Sequence, residues 1–324
     1  MSKTGENMIR EKEVEMIKIS QVHIGIYILG AFVLLVFIII IQYNKDIRNS
    51  YDRLNNYKTN KISTEFGKMT YMDEGIGEAI LISHGIFGGY DQAYNSLKSF
   101  VEDNYRKIGP SRFGYPGSDL PVKPTPGNQA KAFLNLLDQL GIEKTYIITT
   151  SAGSASGIKF AIDYPKRVKG LILLSSAVPN VKKTKDEIEG MTGPPKFLVN
   201  DFPMWFSTKY FGFIFKSMFG SEIDKTIYNT MLPVSPRKKG IEIDGKITNI
   251  DMDINFDDYE IEKIQAPILV LHAKDDPMTK YENINEFINL TNAKNTIFET
   301  GGHLITGHKH EVSKTIKNFI EDFK

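Results

Sequence analysis

The residue types of a nucleophilic catalytic site occur in the order Ser, Asp, His, and each follows a predicted β-strand. Ser151 follows the apolar run Thr145–Thr149. Asp275 and Asp276 follow a later run, and His303 follows the last one. A histidine that is oriented by a carboxylate can take the proton of a serine hydroxyl and make it a nucleophile. Each residue alone also fits a turn, an Asp-Asp-Pro cap or a surface position, but their joint placement predicts a serine nucleophile.

A glycine-rich loop provides candidates for the second part of such a site. The predicted strand Ile80–Ser83 continues into the loop His84–Gly89, with the sequence HGIFGG. Backbone N–H groups that converge on a carbonyl oxygen stabilise the oxyanion that forms during attack. We expect the N–H groups of Ile86 and Ala152 to have this role. A phosphate-binding loop is the alternative, and it is disfavoured because no Gly-Lys-Ser/Thr follows and no GxGxxG is present.

The elements that must position these residues are strands and helices in alternation. The predicted strands are Ile62–Tyr71, Ala79–Ser83, Arg106–Gly109, Thr145–Thr149, Val168–Leu174, Ile268–His272 and Asn295–Phe298. The predicted helices are Gln129–Leu140, Ala152–Tyr164, Tyr281–Leu290 and Glu311–Phe323. This alternation predicts an α/β fold with a mostly parallel sheet that helices cover on both faces. Active sites of such folds form at the edge where the strands end.

One segment, 179–257, interrupts the alternation and is unusually aromatic. Eight Phe, Tyr and Trp residues lie between positions 202 and 219. We interpret this segment as a helical cap over the sheet and call it the cap segment. Its rings can pack the cap on the core, line an apolar pocket or contact a membrane surface, and the first two uses are favoured. The expected pocket residues are Phe87, Trp205, Phe206 and Phe211.

Near the N-terminus, Ile24–Ile41 is an uncharged apolar run of 18 residues. A helix over 22–41 is about 30 Å long, which matches the hydrocarbon core of a bilayer. A cleaved signal peptide is disfavoured because the run is long and no small-residue cleavage site follows it. We therefore expect a single-pass membrane anchor. Lys and Arg flank both of its sides, so charge does not fix the orientation, and export of the remaining chain is favoured only by the anchor's N-terminal position.

The predicted organisation thus has five parts. They are an N-terminal tail (1–21), the anchor (22–41), a polar linker or short surface helix (42–61), a core (62–178 and 258–324) and the cap segment (179–257). The mean hydropathy of −0.24 is typical of a soluble protein. That value averages a lipid-soluble segment with a polar domain, so it conceals the anchor.

The composition excludes several classes of chemistry. The 324 residues include no Cys, which excludes disulfides, thiolate nucleophiles and iron–sulfur clusters. The 40 Lys and Arg residues balance 39 Asp and Glu residues, which gives no general attraction for nucleic acid. His308 and His310 are predicted to be surface residues rather than metal ligands, and Arg237–Lys239 a solvated basic turn. No metal and no other cofactor is expected.

Beyond these patterns, residues 62–324 resemble the α/β-hydrolase fold family. The resemblance rests on HGIFGG (84–89), SRFGYPGSDLP (111–121), TTSAGS (149–154), AIDYPKRVKGLILLSS (161–176), LHAKDDP (271–277) and GGHLITGH (301–308). It implies that Ser151 is the nucleophile, Asp276 the acid and His303 the general base of a triad. It also implies that the N–H groups of Ile86 and Ala152 form the oxyanion hole. One departure is Thr149, which replaces the first glycine of the family's Gly-x-Ser-x-Gly turn. The larger side chain requires either that the turn is repacked or that the activity of the protein is narrowed.

The expected function is a membrane-anchored serine hydrolase that cleaves a carboxylic ester of an apolar or lipid-derived acyl group. Its partners are then a small ester substrate and membrane lipid, and not nucleic acid, with the domain on the extracytoplasmic side. One alternative is the hydrolysis of a C–C bond or an amide by the same triad. Another is a non-catalytic protein of this fold that binds or senses a ligand. By the resemblance, a serine at position 151 disfavours dehalogenases and epoxide hydrolases, which use Asp there.

Overall fold

The computed structural model describes residues 3–188, 192–219 and 230–323. The chain divides into two compact units, Met1–Asn49 and Ser50–Lys324. The second unit contains the sheet, its covering helices and all of the candidate site residues.

Helix α1 spans Lys3–Asn55. Its part Ser20–Asn55 includes a window with a mean hydropathy of 3.1, of which no residue is buried within the protein. By length and composition this part is able to cross a membrane. The helix continues beyond the apolar run, through most of the predicted linker, and ends at Asn55. The polar residues after the apolar run therefore extend the helix rather than form a loop.

The last turn of α1 belongs to the second unit and is packed within it. Leu54 is only 3% exposed and lies in a buried cluster with Tyr90. The Tyr90 hydroxyl donates a hydrogen bond of 2.9 Å to the Leu54 carbonyl oxygen. The Tyr51 hydroxyl donates a bond of 3.1 Å to the Asp201 carboxylate. The predicted linker thus includes residues that are structural parts of the second unit.

A single sheet forms the centre of the second unit. Its strands are β1 (Asn60–Thr64), β2 (Gly67–Glu74), β3 (Ala79–Ser83), β4 (Arg106–Pro110), β5 (Thr145–Thr150), β6 (Val168–Leu174), β7 (Ile268–Ala273) and β8 (Lys294–Phe298). Their order is β1-β2-β4-β3-β5-β6-β7-β8, with β1–β2 and β2–β4 antiparallel and every other pair parallel. The predicted α/β fold class is confirmed.

The predicted single strand Ile62–Tyr71 is wrong, because this stretch is a hairpin. β1 and β2 pair in antiparallel register, with Thr64 opposite Gly67. The Thr64 hydroxyl donates to the Gly67 carbonyl oxygen at 2.8 Å and so closes the turn. Gly67 has φ of +105°, which favours glycine. The apolar residues shift from even to odd positions across the turn, from Ile62 to Met69, and this shift is the sequence signal of the break.

Helices cover both faces of the sheet. Among the described residues, the helices that follow α1 are α2 (Tyr90–Phe100), α3 (Pro126–Gln139), α4 (Ser154–Asp163), α5 (Asp201–Tyr210), α6 (Lys216–Phe219), α7 (Lys238–Ile243), α8 (Asn249–Ile254), α9 (Tyr281–Thr291) and α10 (Lys309–Asp322), of which α5 to α8 lie in the cap segment. Successive strand residues face opposite sides, so Leu81 belongs to the apolar cluster that includes residues of α3, α4 and α9, whereas Ile80 and Ile82 belong to the cluster that includes residues of α2 and α10. Each face of the sheet therefore has its own apolar core.

Two buried ion pairs join the cap segment to the core. Arg112, in the loop after β4, makes two hydrogen bonds of 2.6 Å to Asp244. Arg237 makes bonds of 3.0 and 2.7 Å to Asp91 on α2. All four side chains are at most 4% exposed. The predicted solvated turn Arg237–Lys239 is therefore wrong for Arg237, whose buried guanidinium has a charged partner that is distant in sequence.

Candidate active site

The turn that carries Ser151 is a strained connection between a strand and a helix. After β5, a single 3₁₀ turn, Ser151–Gly153, leads into α4. Ser151 has φ of +49°, a left-handed conformation that costs about 1–3 kcal/mol for a residue other than glycine. Gly153 permits the tight turn, since a Cβ there would lie 2.1 Å from the Ser83 carbonyl oxygen. The hydroxyl-bearing residue is thus held in a conformation that an unconstrained chain would avoid.

Ser151, His303 and Asp276 form one hydrogen-bonded series at the edge where β5, β7 and β8 end. The distance from Ser151 Oγ to His303 Nε2 is 2.8 Å, and that from His303 Nδ1 to Asp276 Oδ2 is also 2.8 Å. The buried Asp276 carboxylate also accepts from Thr279 Oγ1 at 2.6 Å and Met278 N at 2.8 Å. Burial opposes ionisation, but the bonds from His303, Thr279 and Met278 outweigh it and lower the pKa of Asp276. An ionised Asp276 keeps the proton on Nδ1 and leaves Nε2 to face the serine.

The adjacent acid, Asp275, contacts the backbone of the loop that carries His303. Its Oδ1 accepts the Gly302 N–H at 2.8 Å, and its Oδ2 accepts the Gly301 N–H at 3.3 Å. Both glycines have positive φ, so they allow the close turn before the histidine. Asp275 therefore holds the loop, whereas Asp276 contacts the imidazole. Local sequence left these two acids equivalent, and only the family resemblance distinguished them.

The loop His84–Gly89 borders the Ser151 turn. A Cβ at Gly85 would lie 3.2 Å from the Ser151 Cβ, which is close contact between the two backbones. Within residues 3–188, 192–219 and 230–323, no hydrogen-bond acceptor faces the Ile86 N–H. Phe87, the next residue, has φ of +60° and is buried. The loop that touches Ser151 therefore retains a backbone donor that is available to an anion.

His84 is fully engaged in supporting this loop. Its Nδ1 bonds the Gly85 carbonyl oxygen at 2.8 Å, and its Nε2 accepts the Arg112 N–H at 3.0 Å. Its ring packs edge-on against Tyr115, with centroids 4.6 Å apart. Burial, together with the Arg112 charge, holds the pKa of His84 well below its usual value. A neutral histidine with both ring nitrogens occupied is suited to structural support rather than to proton transfer.

A further buried histidine, His272, is linked to the series through Thr279. Its Nε2 lies 3.1 Å from the Thr279 carbonyl oxygen, and the Thr279 hydroxyl donates to Asp276. Among the described residues its Nδ1 has no hydrogen-bond partner. Burial lowers the pKa of His272. Its position in a buried strand indicated a packed residue, but nothing in the sequence indicated the link to Asp276.

The unusual Thr149 is accommodated by a glycine on the next helix. Thr149 is fully buried, and its Oγ1 lies 2.8 Å from Ser176 Oγ. A Cβ at Gly157 on α4 would lie 2.1 Å from the Thr149 Cγ2 methyl carbon. Gly157 therefore provides the space that the Thr149 methyl occupies. The absence of a side chain at Gly157 is thus the repacking that Thr149 requires in this turn.

The four expected pocket residues are divided between two places. Phe87 is 5% exposed and lies in the loop beside Ser151. Trp205, Phe206 and Phe211 lie on or just after α5, where the Phe206 ring is 6.4 Å from Trp205 and 5.6 Å from Phe211. Trp205 is 2% exposed and Phe211 is 40% exposed. Trp205, Phe206 and Phe211 therefore form one ring cluster that extends to the surface, and their role in substrate binding stays a prediction.

The two histidines of the sequence His308-Lys309-His310 lie apart from this site. His308 packs on Phe298 with ring centroids 4.3 Å apart, and His310 is exposed. In the part of the chain that the structure describes, no group of three or more His, Asp or Glu residues is arranged to hold a metal ion.

Comparisons with known proteins agree with this architecture. A family model described as the alpha/beta hydrolase fold matches residues 78–306. An uncharacterised hydrolase of Bacillus subtilis is 35% identical over 127 residues, which are 39% of this chain and 44% of that protein. A 2-hydroxy-6-oxo-6-phenylhexa-2,4-dienoate hydrolase of Comamonas testosteroni is 35% identical over 109 residues, 32% of this chain and 38% of that protein. The chain thus spans about two fifths of the length of these relatives.

A solved structure gives a longer match at lower identity. An esterase from Exiguobacterium antarcticum has a TM-score of 0.63 and 19% identity, and the match covers 81% of this chain and 98% of that chain. A likeness at this identity concerns the fold, because one fold supports many reactions. The similarity in fold thus covers almost the whole of the esterase chain.

Proposed function

The chain belongs to the α/β-hydrolase family, and from this premise we propose that it is a membrane-anchored serine hydrolase that cleaves a carboxylic ester with an apolar acyl group. The observation that carries the proposal is the hydrogen-bonded series Ser151–His303–Asp276, with both distances at 2.8 Å. A serine on a strained strand-to-helix turn, with a histidine and a buried acid behind it, is the arrangement that nucleophilic catalysis requires.

In the proposed mechanism, neutral His303 takes the Ser151 proton as Oγ attacks the ester carbonyl carbon. The ionised Asp276 holds the Nδ1 proton and stabilises the imidazolium that forms. His303 then gives its proton to the leaving alcohol, and an acyl-enzyme remains on Ser151. A water molecule, deprotonated by His303, attacks the acyl carbon and releases the carboxylic acid.

We assign the oxyanion hole to the N–H groups of Ile86 and Ala152. The close contact between Gly85 and Ser151 supports this assignment, as does the lack of an acceptor for the Ile86 N–H among the described residues. Ala152 lies in the first turn after β5, where N–H groups and the helix dipole favour an anion. Each such donor contributes about 3–4 kcal/mol of transition-state stabilisation.

The apolar part of α1 supports the membrane anchor. Its mean hydropathy of 3.1 and its exposure along the whole window are those of a lipid-facing helix. A signal sequence has similar properties, so the anchor is tested by whether the full-length chain persists and floats with liposomes after alkaline extraction. Protease accessibility of the second unit in intact cells then tests the proposed extracytoplasmic side.

The catalytic proposal is tested by covalent labelling with a fluorophosphonate, which reacts with activated serines. The wild-type protein should be labelled, and Ser151→Ala should not. Ser154→Ala is a matched control, because Ser154 directly follows the same turn but is buried with no hydrogen-bond partner for its Oγ in the described chain. A folded wild-type protein that is not labelled would favour a non-catalytic binding protein instead.

An acyl-chain series tests the substrate class. p-Nitrophenyl esters from acetate to dodecanoate should give a kcat/KM that rises with chain length if rings such as Phe87 and Phe206 line the acyl site. Rates that do not change with chain length would contradict an apolar acyl pocket while leaving the serine hydrolase mechanism intact.

A second candidate is hydrolysis of a C–C bond by the same three residues. It is favoured by the match to the Comamonas testosteroni hydrolase, whose name specifies a 2-hydroxy-6-oxo-dienoate. Turnover of that substrate, with kcat/KM above that of every ester in the series, would support this candidate over the esterase.

A further inference from the structure

The surface formed by α5 and the turn after it exposes several large aromatic rings. Phe202, Tyr210, Phe211 and Phe213 are 43, 43, 40 and 66% exposed. Together with Trp205 and Phe206 they form a chain of packed rings, with centroid distances from 5.2 to 6.4 Å. We call these six residues the α5 patch. Contiguous exposed apolar surface of this kind marks an interaction site.

The charges around the α5 patch are those of a surface that meets anionic lipid. Lys196 precedes the α5 patch in the sequence, Lys216 follows it, and both are exposed. Asp201 is the one acid in the sequence 196–219, and its carboxylate accepts the N–H groups of Val234 and Ser235. Lysine beside exposed aromatic rings is typical of surfaces at the headgroup level of a bilayer. The buried centres of protein–protein interfaces, in contrast, are depleted of lysine.

The α5 patch also begins next to the residues that follow the apolar segment. Asp201, the first residue of α5, accepts the Tyr51 hydroxyl at 3.1 Å. Tyr51 is ten positions after Ile41, where the apolar run ends, so the two residues are at most about 35 Å apart even if the chain between them is fully extended. A membrane that holds the apolar run therefore lies within reach of the start of α5.

We propose that the α5 patch lies in the interfacial layer of the bilayer that the apolar part of α1 crosses. The aromatic rings insert at the level of the ester and upper acyl groups, and Lys196 and Lys216 contact anionic headgroups. This inference rests on the proposed membrane anchor and goes beyond it, since an anchor alone does not require any contact between the second unit and lipid.

Trp205 supplies the test, because it is the chain's one tryptophan and the buried member of the α5 patch, with 2% exposure. Its ring is 5.9 Å from Phe202 and 5.8 Å from Tyr210. The full-length protein is reconstituted in phosphatidylcholine–phosphatidylglycerol liposomes with or without brominated acyl chains, which quench tryptophan at short range. We expect brominated lipid to reduce Trp205 emission, and the reduction to weaken when phosphatidylglycerol is omitted or salt is raised.

Two sets of variants separate the α5 patch from the rest of the surface. Phe202→Ser with Phe213→Ser should reduce the quenching, and so should Lys196→Glu with Lys216→Glu, which leaves the rings unchanged. The matched control is Val122→Ser, at a position outside the patch that is 98% exposed, and it should retain the quenching. Far-ultraviolet circular dichroism checks that each variant is folded.

The outcomes distinguish failure of the inference from failure of the anchor. Wild-type protein that floats with liposomes but is not quenched by brominated lipid overturns the inference and leaves the anchor in place. Chemical cross-linking of two protein copies in liposomes without bromine quenching also overturns it, because a second copy then covers the α5 patch. Protein that does not float overturns both the anchor and this inference.

Discussion

The adjacent acids Asp275 and Asp276 have different neighbours, so they should give different phenotypes. Asp276→Asn keeps the shape of the side chain but removes the charge that, in the proposed mechanism, stabilises the His303 imidazolium. We expect kcat/KM for an aryl ester to fall by about 10⁴-fold. Asp275→Asn retains an oxygen that can accept the Gly302 N–H, so its loss should stay within about tenfold. Initial rates of the two purified variants provide the comparison.

A structural control is needed, because either acid could affect folding. Thermal unfolding of Asp275→Asn and Asp276→Asn should show two folded proteins with similar midpoints. Equal losses of kcat/KM in both variants would be inconsistent with the assignment of the imidazole contact to Asp276 alone.

The buried His84 should make the protein sensitive to mild acid. Because its pKa is lowered in the folded state, the unfolded state binds the extra proton as the pH falls below about 6.5. The stabilisation from neutral His84 is complete above that pH. Below it, the free energy of unfolding should fall by about 1.4 kcal/mol for each unit by which the pH decreases. The lowered pKa of His272 adds to the same slope. Denaturant unfolding of the detergent-solubilised protein between pH 5 and 7.5 measures it.

His84→Gln should make this slope shallower, since glutamine does not titrate, and His310→Gln should not, because His310 is exposed. A slope unchanged by His84→Gln would show that another group causes the acid sensitivity.

At the residue scale, the sequence order and the family motifs were enough to select Ser151, Asp276 and His303 as candidates. They could not reveal Arg237, because it lies in an Arg-Lys-Lys run typical of a solvated turn. Its partner, Asp91, is 146 positions away, and no local pattern indicates such a pairing. Buried polar contacts between distant segments depend on the tertiary fold and leave no periodic signal.

At the scale of elements, the packing of β5 against α4 predicts a rescue between two substitutions. Gly157→Ala alone brings a Cβ to 2.1 Å from the Thr149 methyl carbon and should cost about 1–3 kcal/mol of stability. Thr149→Ser removes that methyl but keeps the hydroxyl that meets Ser176. In the double variant the nearest remaining contact, to Cβ of residue 149, is 3.5 Å. Denaturant unfolding of the four proteins should therefore show that Thr149→Ser restores most of the lost stability.

Gly127→Ala is the control for this cycle, because a Cβ there is 3.8 Å from its nearest neighbour, the end of the Lys159 side chain. It should be tolerated whether residue 149 is Thr or Ser. Additive effects of Thr149→Ser and Gly157→Ala would mean that α4 moves away from β5 instead of clashing with Thr149.

The strands of the parallel sheet were predicted to within one residue at each end, because buried strands are continuous apolar runs bounded by turns. Helix α2 was missed although its signal is present. Its apolar residues Tyr90, Ala93, Tyr94 and Leu97 follow the helical spacing i, i+3, i+4, i+7. The hairpin β1–β2 was also missed although its signal is present, since the apolar residues shift from even to odd positions across its two-residue turn.

At the scale of the whole molecule, the end of α1 should contribute to the stability of the second unit. Leu54→Ala in the full-length chain removes a side chain that is 3% exposed, and we expect a loss of about 2–5 kcal/mol. Leu290→Ala, at a position that is 66% exposed, is the control and should have little effect. Denaturant unfolding in detergent, followed by Trp205 fluorescence, measures both.

If Leu54→Ala unfolds at the same denaturant concentration as the wild-type protein, the last turn of α1 only connects the two units and does not stabilise the second.

The sequence favoured a purely connecting role for this turn, because residues 42–61 are polar and were predicted as a linker. The structure instead begins the second unit at Ser50. A single buried leucine in the last helical turn is too short a signal to indicate this boundary.

The two ion pairs between the cap segment and the core have opposite polarity, and this limits how the protein can be recombined. The core contributes the cation Arg112 to one pair and the anion Asp91 to the other, whereas the cap segment contributes Asp244 and Arg237. A chimera that replaces residues 179–257 alone would bury an unpaired cation and an unpaired anion, each at a cost of about 3–5 kcal/mol. A functional exchange of the cap segment, whether by engineering or in evolution, therefore has to include the segments 84–91 and 111–119 as well.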